Sequence, residues 1–146
     1  MKSFPHLYGA GATGSASGTV RVRSAGLPDL TTAPPPQFDG PEGIWSPETL
    51  LLAAIADCFI LTFRGVARAA RFEWQTLDAE VEGTLERIDG VTRFTRYQTR
   101  ATLKVDDGAD RAKAGALLER AEKLCLVANS LNGERMLEIS VQAVGA

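Results

Sequence analysis

Ser46-Pro47-Glu48-Thr49-Leu50-Leu51-Leu52-Ala53-Ala54-Ile55-Ala56-Asp57-Cys58-Phe59-Ile60-Leu61-Thr62-Phe63 is the stretch on which the fold turns. It opens as helices open: a serine able to accept from free backbone N–H groups, a proline at the first helical position, an acid in the first turn. The pattern predicts a helix from Pro47 to about Ala70. From Leu50 to Phe63 only Asp57, Cys58 and Thr62 interrupt the apolar run. A helix with one solvated side carries polar residues along that side, so this one is expected to be surrounded by protein. A chain of 146 residues has little else to wrap it with, and a second copy of the chain is the simplest cover. The run is also shorter than the ~20 residues of a membrane span and contains Asp57, so it reads as core.

Outward from this helix the pattern changes. Arg64, Arg68 and Arg71 follow as cations suited to its C-terminal dipole. Leu77, Ala79, Val81 and Leu85 then alternate with Asp78, Glu80, Glu82, Thr84 and Glu86. Asp89-Gly90 is a hairpin turn, and Arg93 to Val105 is the returning strand. The acidic outer face of the first strand is expected opposite Arg96, Arg100 and Lys104. A second helix is predicted from about Asp110 to Leu126, with Ala114, Leu117, Leu118, Ala121, Leu124 and Cys125 on its apolar face. After a turn at Asn132-Gly133, a last strand from Leu137 to Val144 points Leu137, Ile139 and Val141 inward.

Upstream, Pro28 to Gly43 reads as a loop, with Pro34-Pro35-Pro36 extended and Asp39-Gly40 a turn. A first strand is expected near Thr19 to Ser24, after a loose glycine-rich start. Gly9-Ala10-Gly11-Ala12-Thr13-Gly14 has no lysine after its last glycine, no strand before it and no helix behind it, so it is not read as a phosphate loop. The order strand, long helix, hairpin, helix, strand predicts a single α+β domain over residues 1–146, mainly antiparallel.

Composition narrows the chemistry. A net charge of −2 leaves no electrostatic footprint for nucleic acid. Two cysteines and one histidine cannot close a structural zinc site. The lone His6 lies in the loose start, which argues against Ser-His-Asp or Cys-His catalysis. No charged-then-apolar leader is visible, and a cytoplasmic location is expected. The candidates left are Cys58, Cys125 and Glu48. Each has a plain explanation: the thiols as small buried hydrophobes, the glutamate as a first-turn acid favoured by the helix dipole. Against that, Cys58 is bracketed by Asp57 and Thr62 in a dry segment. Cys125 stands where the helical pattern breaks, a place expected to make a thiol easier to reach.

The two cysteine segments resemble a known family. Ser46-Pro47-Glu48-x-Leu50-Leu51-Leu52-Ala53-Ala54-x-Ala56-x-Cys58-Phe59, with Cys125-x-Val127-x-Asn129-x-Leu131 far downstream and Phe38-Asp39-Gly40 ahead of the helix, is similar to the family of osmotically inducible protein C and organic hydroperoxide resistance protein (OsmC/Ohr). The resemblance implies an intertwined homodimer whose sheets wrap two long central helices. It implies a thiol peroxidase in which Cys58 matches the peroxidatic cysteine, Cys125 the resolving cysteine and Glu48 the active-site glutamate. Organic hydroperoxides would be the substrates and dithiols such as lipoyl groups the reductants, with no metal or bound cofactor. Charge and the length of the apolar run separately give the expectation of no nucleic-acid and no membrane partner.

Helix geometry bears on the dimer independently. Ten residues along a straight helix place Glu48 and Cys58 about 15 Å apart axially and roughly 80° apart around it. Nothing between them looks like a helix breaker, so a site holding both would take Glu48 from the second subunit. The chain departs from the family at one point. The arginine that holds the glutamate is matched by Ala16 in one branch's alignment and by Gln37 in the other's. Arg21 and Arg23 are candidate substitutes, although strand alternation and solvation explain them equally well. An alternative function follows: a binding or sensing protein on the same fold, holding an apolar ligand.

Overall fold

The computed structural model describes residues 1–145. They form two compact units, Met1–Leu51 and a second from Leu52 onward. In the first, β1 (Gly11–Thr13), β2 (Val20–Arg23) and β3 (Leu30–Thr32) make an antiparallel sheet in that order. Only β2 was expected; β1 lies in the stretch read as loose and β3 in the stretch read as loop. Three residues are too few for alternation to show, and both strands are defined by hydrogen bonding to β2 (Ala12 opposite Val22, Thr32 opposite Val20). A short 3-10 turn, Pro36–Phe38, follows. Gly40 comes so close to the proline run that a Cβ on it would stand 1.7 Å from the Pro34 carbonyl oxygen, so only glycine fits there.

Helix α1 runs unbroken from Pro47 to Ala69. Its start is a reciprocal cap: Thr49 N–H donates to Ser46 Oγ at 3.2 Å, and Ser46 N–H donates to Thr49 Oγ1 at 2.9 Å. The apolar character extends further than the run quoted above. Over its most apolar 18-residue window the mean hydropathy is 1.9, so by length and composition alone the helix is able to cross a membrane. That corrects the length argument, which stopped at Phe63 and left out the turns to Ala69. Nor is the helix buried all round. Ile55, Phe59, Phe63, Val66 and Ala67 form one buried stripe, whereas Asp57, Leu61, Arg64 and Arg68 form an exposed one. A single copy of the chain thus covers one face of α1, and Leu50 to Ala54 are all half-covered.

The second unit packs that stripe against a three-stranded sheet and a second helix. β4 (Thr76–Ile88) and β5 (Val91–Asp106) are the expected hairpin, turning at Asp89 and Gly90 with φ of 52° and 78°, as a two-residue hairpin turn of the right twist requires. β6 (Glu134–Val144) lies on the other side of β5 and runs parallel to it. The second sheet is therefore mixed, while the first is wholly antiparallel. A parallel neighbour needs a long crossover, and α2 (Arg111–Leu124) supplies it. The expected charge match is corrected as well. Glu80 stands opposite Arg100, but Thr84 and Thr76 face Arg96 and Lys104. The ion pairs of Arg96 and Arg100 are made across the parallel side, with Glu134 and Glu138, each at 3.3 Å.

The core of this unit is Ile55, Phe59 and Phe63 of α1, Ala101, Leu103 and Val105 of β5, and Ala114, Leu118 and Ala121 of α2. Phe63 is fully buried and meets Trp74 edge to face, ring centres 5.2 Å apart. Asp110 caps α2 by accepting from Lys113 N–H at 2.9 Å. The helix ends at Leu124, earlier than expected. Cys125 is extended (φ −62°, ψ 105°) and a single further turn, α3 (Leu126–Asn129), follows. Leu124 is therefore half exposed instead of lying on the apolar face.

Candidate active site: two facing thiols

Cys58 and Cys125 are brought together. Cys58 is half-buried on α1, and its sulfur lies 3.9 Å from Thr62 Oγ1, one turn on. Cys125 is buried at the break between α2 and α3, with its sulfur 4.0 Å from the Ile55 carbonyl oxygen of α1. Cys58 is the thiol neighbouring Cys125, near enough to act on its titration. Both are free. The helix break does not make Cys125 easier to reach, as its sequence position suggested. The extended residue turns the thiol inward against α1, and 1% of Cys125 is exposed.

Burial pushes the Cys125 thiol above its ordinary value of 9.0, because a thiolate there would lose its water. The neighbouring Cys58 pushes in the same direction, while a backbone hydrogen bond from Ala128 and the positive charge of Arg135 oppose it. The folded-state value thus lies above the unfolded one. Below the unfolded value both states keep the proton, and stability is fully present. As pH rises the unfolded chain loses the proton first, so stability is lost through the folded value. Urea midpoints are expected to fall as pH rises above about 9, and Cys125→Ala to flatten that fall. Equal slopes for both proteins would contradict a buried, protonated Cys125.

Arg135, near the start of β6, was not among the residues picked out from the sequence. Its guanidinium donates to Glu122 Oε1 at 2.6 Å, to Asn129 Oδ1 at 2.7 Å and to the Glu122 carbonyl. A signal was present: Arg135 falls on the same alternate set as Leu137, Ile139 and Val141, a charge at an inward position of a half-buried strand. Beside Cys58, Thr62 opens onto an apolar groove of about 610 Å³ bordered by Gly65, Val66, Leu117, Arg120 and Leu124.

Glu48 belongs to the first unit, and α1 is continuous between it and Cys58. The side chain does not simply project into solvent as a first-turn acid. It lines an apolar cavity of about 540 Å³ with Val20, Val22, Ala33, Pro34 and Phe38, and its Oε2 is buried with no hydrogen-bond partner among the described residues. Neither candidate arginine is directed to it. On β2 the inward positions are Val20 and Val22, and the arginines alternate outward. Arg21 pairs with Asp29 at 3.4 Å and Arg23 donates to Thr13 Oγ1 at 2.8 Å. Gln37 is exposed.

A family model described as OsmC-like protein matches residues 40–140, a span that takes in Glu48, Cys58 and Cys125. The chain belongs to the OsmC-like family. The uncharacterised protein YmaD of Bacillus subtilis is 31% identical over 116 residues, covering 76% of this chain and 77% of its own. Peroxiredoxin OsmC of Escherichia coli is 25% identical over 126 residues, 86% of this chain and 87% of its own. The structure of an organic hydroperoxide resistance protein OsmC from Legionella pneumophila superposes with a TM-score of 0.75 at 26% identity, covering 97% of this chain and all of that one. The resemblance read from the two cysteine segments and the α+β class read from the element order both hold.

Proposed function

We propose that this OsmC-like protein is a cysteine-based thiol peroxidase that reduces organic hydroperoxides. The observation that carries the reading is the pairing of Cys58 and Cys125 as neighbours, contributed by α1 and by the α2–α3 break. In the first step the Cys58 thiolate attacks the terminal peroxide oxygen. The O–O bond breaks, the alkoxide leaves with a proton as the alcohol, and Cys58 becomes a sulfenic acid. The Cys125 sulfur then attacks the Cys58 sulfur. The S–O bond breaks, the hydroxyl departs as water with the Cys125 proton, and a disulfide remains. An external dithiol of the lipoyl type restores both thiols by exchange and leaves as its own disulfide. Thr62 connects Cys58 to the apolar groove, and a cavity of that size suits the organic portion of a hydroperoxide. The naming of Escherichia coli OsmC as a peroxiredoxin supports the same reading.

The working form is a homodimer. Its support is the half-covered apolar surface at Leu50 to Ala54 and the unbroken helix that keeps Glu48 about three turns from Cys58 within one chain. The partner's Glu48 would complete the site. The test is the intact mass of reduced protein after one equivalent of cumene hydroperoxide, with non-reducing peptide mapping and light scattering of the same sample. Loss of two hydrogens per chain, a Cys58–Cys125 peptide and twice the chain mass are expected. An unchanged mass with the peroxide unspent would sink the peroxidase reading.

A second reading has its own support in the first unit. The apolar cavity with the unpartnered Glu48 Oε2, and the absence of arginine at positions 16 and 37, suit a binding or sensing protein that holds an apolar ligand carrying one hydrogen-bond donor. Native mass spectrometry that recovers such a ligand from protein inert to peroxide would favour it.

A further inference from the structure

The break that carries Cys125 is held from outside by one side chain. Arg135 reaches it from β6 with three donors, and they go to both sides of the break. Nε and one terminal nitrogen take the Glu122 carboxylate and the Glu122 carbonyl in the last turn of α2, and the other terminal nitrogen takes Asn129 Oδ1 at the end of α3. The gripped groups are those that define the Cys125 backbone. The Glu122 carbonyl also accepts the Cys125 N–H at 3.4 Å, and the Cys125 carbonyl accepts the Asn129 N–H at 2.9 Å. Asn129 closes the loop by donating from Nδ2 to the Lys123 carbonyl at 3.0 Å. The Arg135–Glu122 pair is largely screened from solvent, with side chains 25% and 22% exposed, and a planar fork spanning three acceptors is a geometry that lysine cannot copy.

We propose that Arg135 is a positioning residue for disulfide formation: by clamping the α2–α3 break it aims the Cys125 sulfur at Cys58. The proposal rests on Cys58 and Cys125 being a redox pair and is independent of which oxidant they serve. A surface ion pair would contribute little. This one fixes the orientation of a reacting group, and a displacement of about an ångström in such a group can cost ~100-fold in rate. The charged and titratable groups at the thiol are Cys58 from α1 and Arg135 from β6, the latter in contact with Glu122 of α2. Removing the guanidinium also removes the positive charge that favours the Cys125 thiolate.

The experiment uses the reduced full chain and diamide, a diazene that takes one hydrogen from each of two thiols to give a hydrazine and the Cys58–Cys125 disulfide. Closure is followed by acid quench, alkylation and mass in wild type, Arg135→Met and Arg135→Lys. Arg135→Met is expected to slow closure by ~10- to 100-fold, and Arg135→Lys to recover only part of it. Alkylation of Cys58 in a Cys125→Ser background should be unchanged by Arg135→Met. In a Cys58→Ser background, Arg135→Met should move Cys125 alkylation to higher pH. Closure at the wild-type rate in the variants overturns the proposal, as does parallel slowing of Cys58 alkylation, which would indicate general loosening. If Arg135→Met fails to fold, Arg135→Lys carries the same comparison. Wild-type thiols left free by diamide overturn it too. Wild type that closes with diamide but ignores cumene hydroperoxide sinks the peroxidase reading and leaves the role of Arg135 standing.

Discussion

Cys58→Ser is expected to reduce hydroperoxide consumption to the uncatalysed background, while Cys125→Ser consumes one equivalent and stops. The asymmetry follows from the burial of the two sulfurs. Cys58 is half-buried, with Thr62 and the apolar groove beside it, so a peroxide can reach it. Cys125 is buried, and burial pushes its thiol up, so in the proposed reaction it meets only the oxidised Cys58. A serine hydroxyl is a poor nucleophile at neutral pH and cannot form the sulfenic acid. In Cys125→Ser the sulfenic acid forms but has no partner thiol, and it should accumulate as a dimedone adduct on the Cys58 peptide. Peroxide assay and peptide mass on the two variants check both halves. Undiminished turnover by Cys58→Ser would remove Cys58 from the chemistry, and dimedone labelling at Cys125 in the wild type would reverse the two roles.

Phe63→Ala should produce the largest loss of stability of any single truncation in the second unit. The ring has no exposed surface, sits in the middle of the α1 stripe and packs edge to face on Trp74. Truncations of this kind cost about 3–5 kcal/mol, through lost transfer energy and the cavity left behind. Whole domains are stable by only about 5–15 kcal/mol. A fall of that size in the free energy from urea unfolding, at fixed protein concentration and under reducing conditions, is the expected result. A midpoint within error of wild type would mean that the Phe63–Trp74 contact does not organise the core. The consequence reaches the site, because Phe63 and Phe59 anchor the turns of α1 that hold Cys58. A variant that still folds is expected to close its disulfide more slowly.

How legible the protein is from its sequence varies with the range of the signal. The limits of α1 are written in Ser46, Pro47 and the run behind them, because a cap and a ring-fixed φ act over one turn. The β4–β5 hairpin is written in strict alternation around Asp89-Gly90, since left-handed φ at both positions suits few residues. The strands β1 and β3 are not written anywhere, because three residues of Gly-Ala-Thr or Leu-Thr-Thr carry no period of their own. The break at Cys125 shows as a lapse in helical spacing. That lapse does not say which way the thiol turns, and the expectation of accessibility was reversed by packing against Ile55.

Local signals were enough for the longer elements, α1, β2, the β4–β5 hairpin, α2 and β6, and, through the two cysteine segments with Glu48, for the family. Where those residues meet is set by long-range packing. Bringing α1 to the α2–α3 break closes a long loop, and the residues between them record the cost of that closure only in the buried contacts that repay it. The inward-turned Cys125, the Arg135 fork across the break and the parallel join of β6 to β5 all arise at that closure. Each joins groups distant in the chain, whose pairing is selected by burial and hydrogen-bond satisfaction in the folded state and not by any neighbour in sequence.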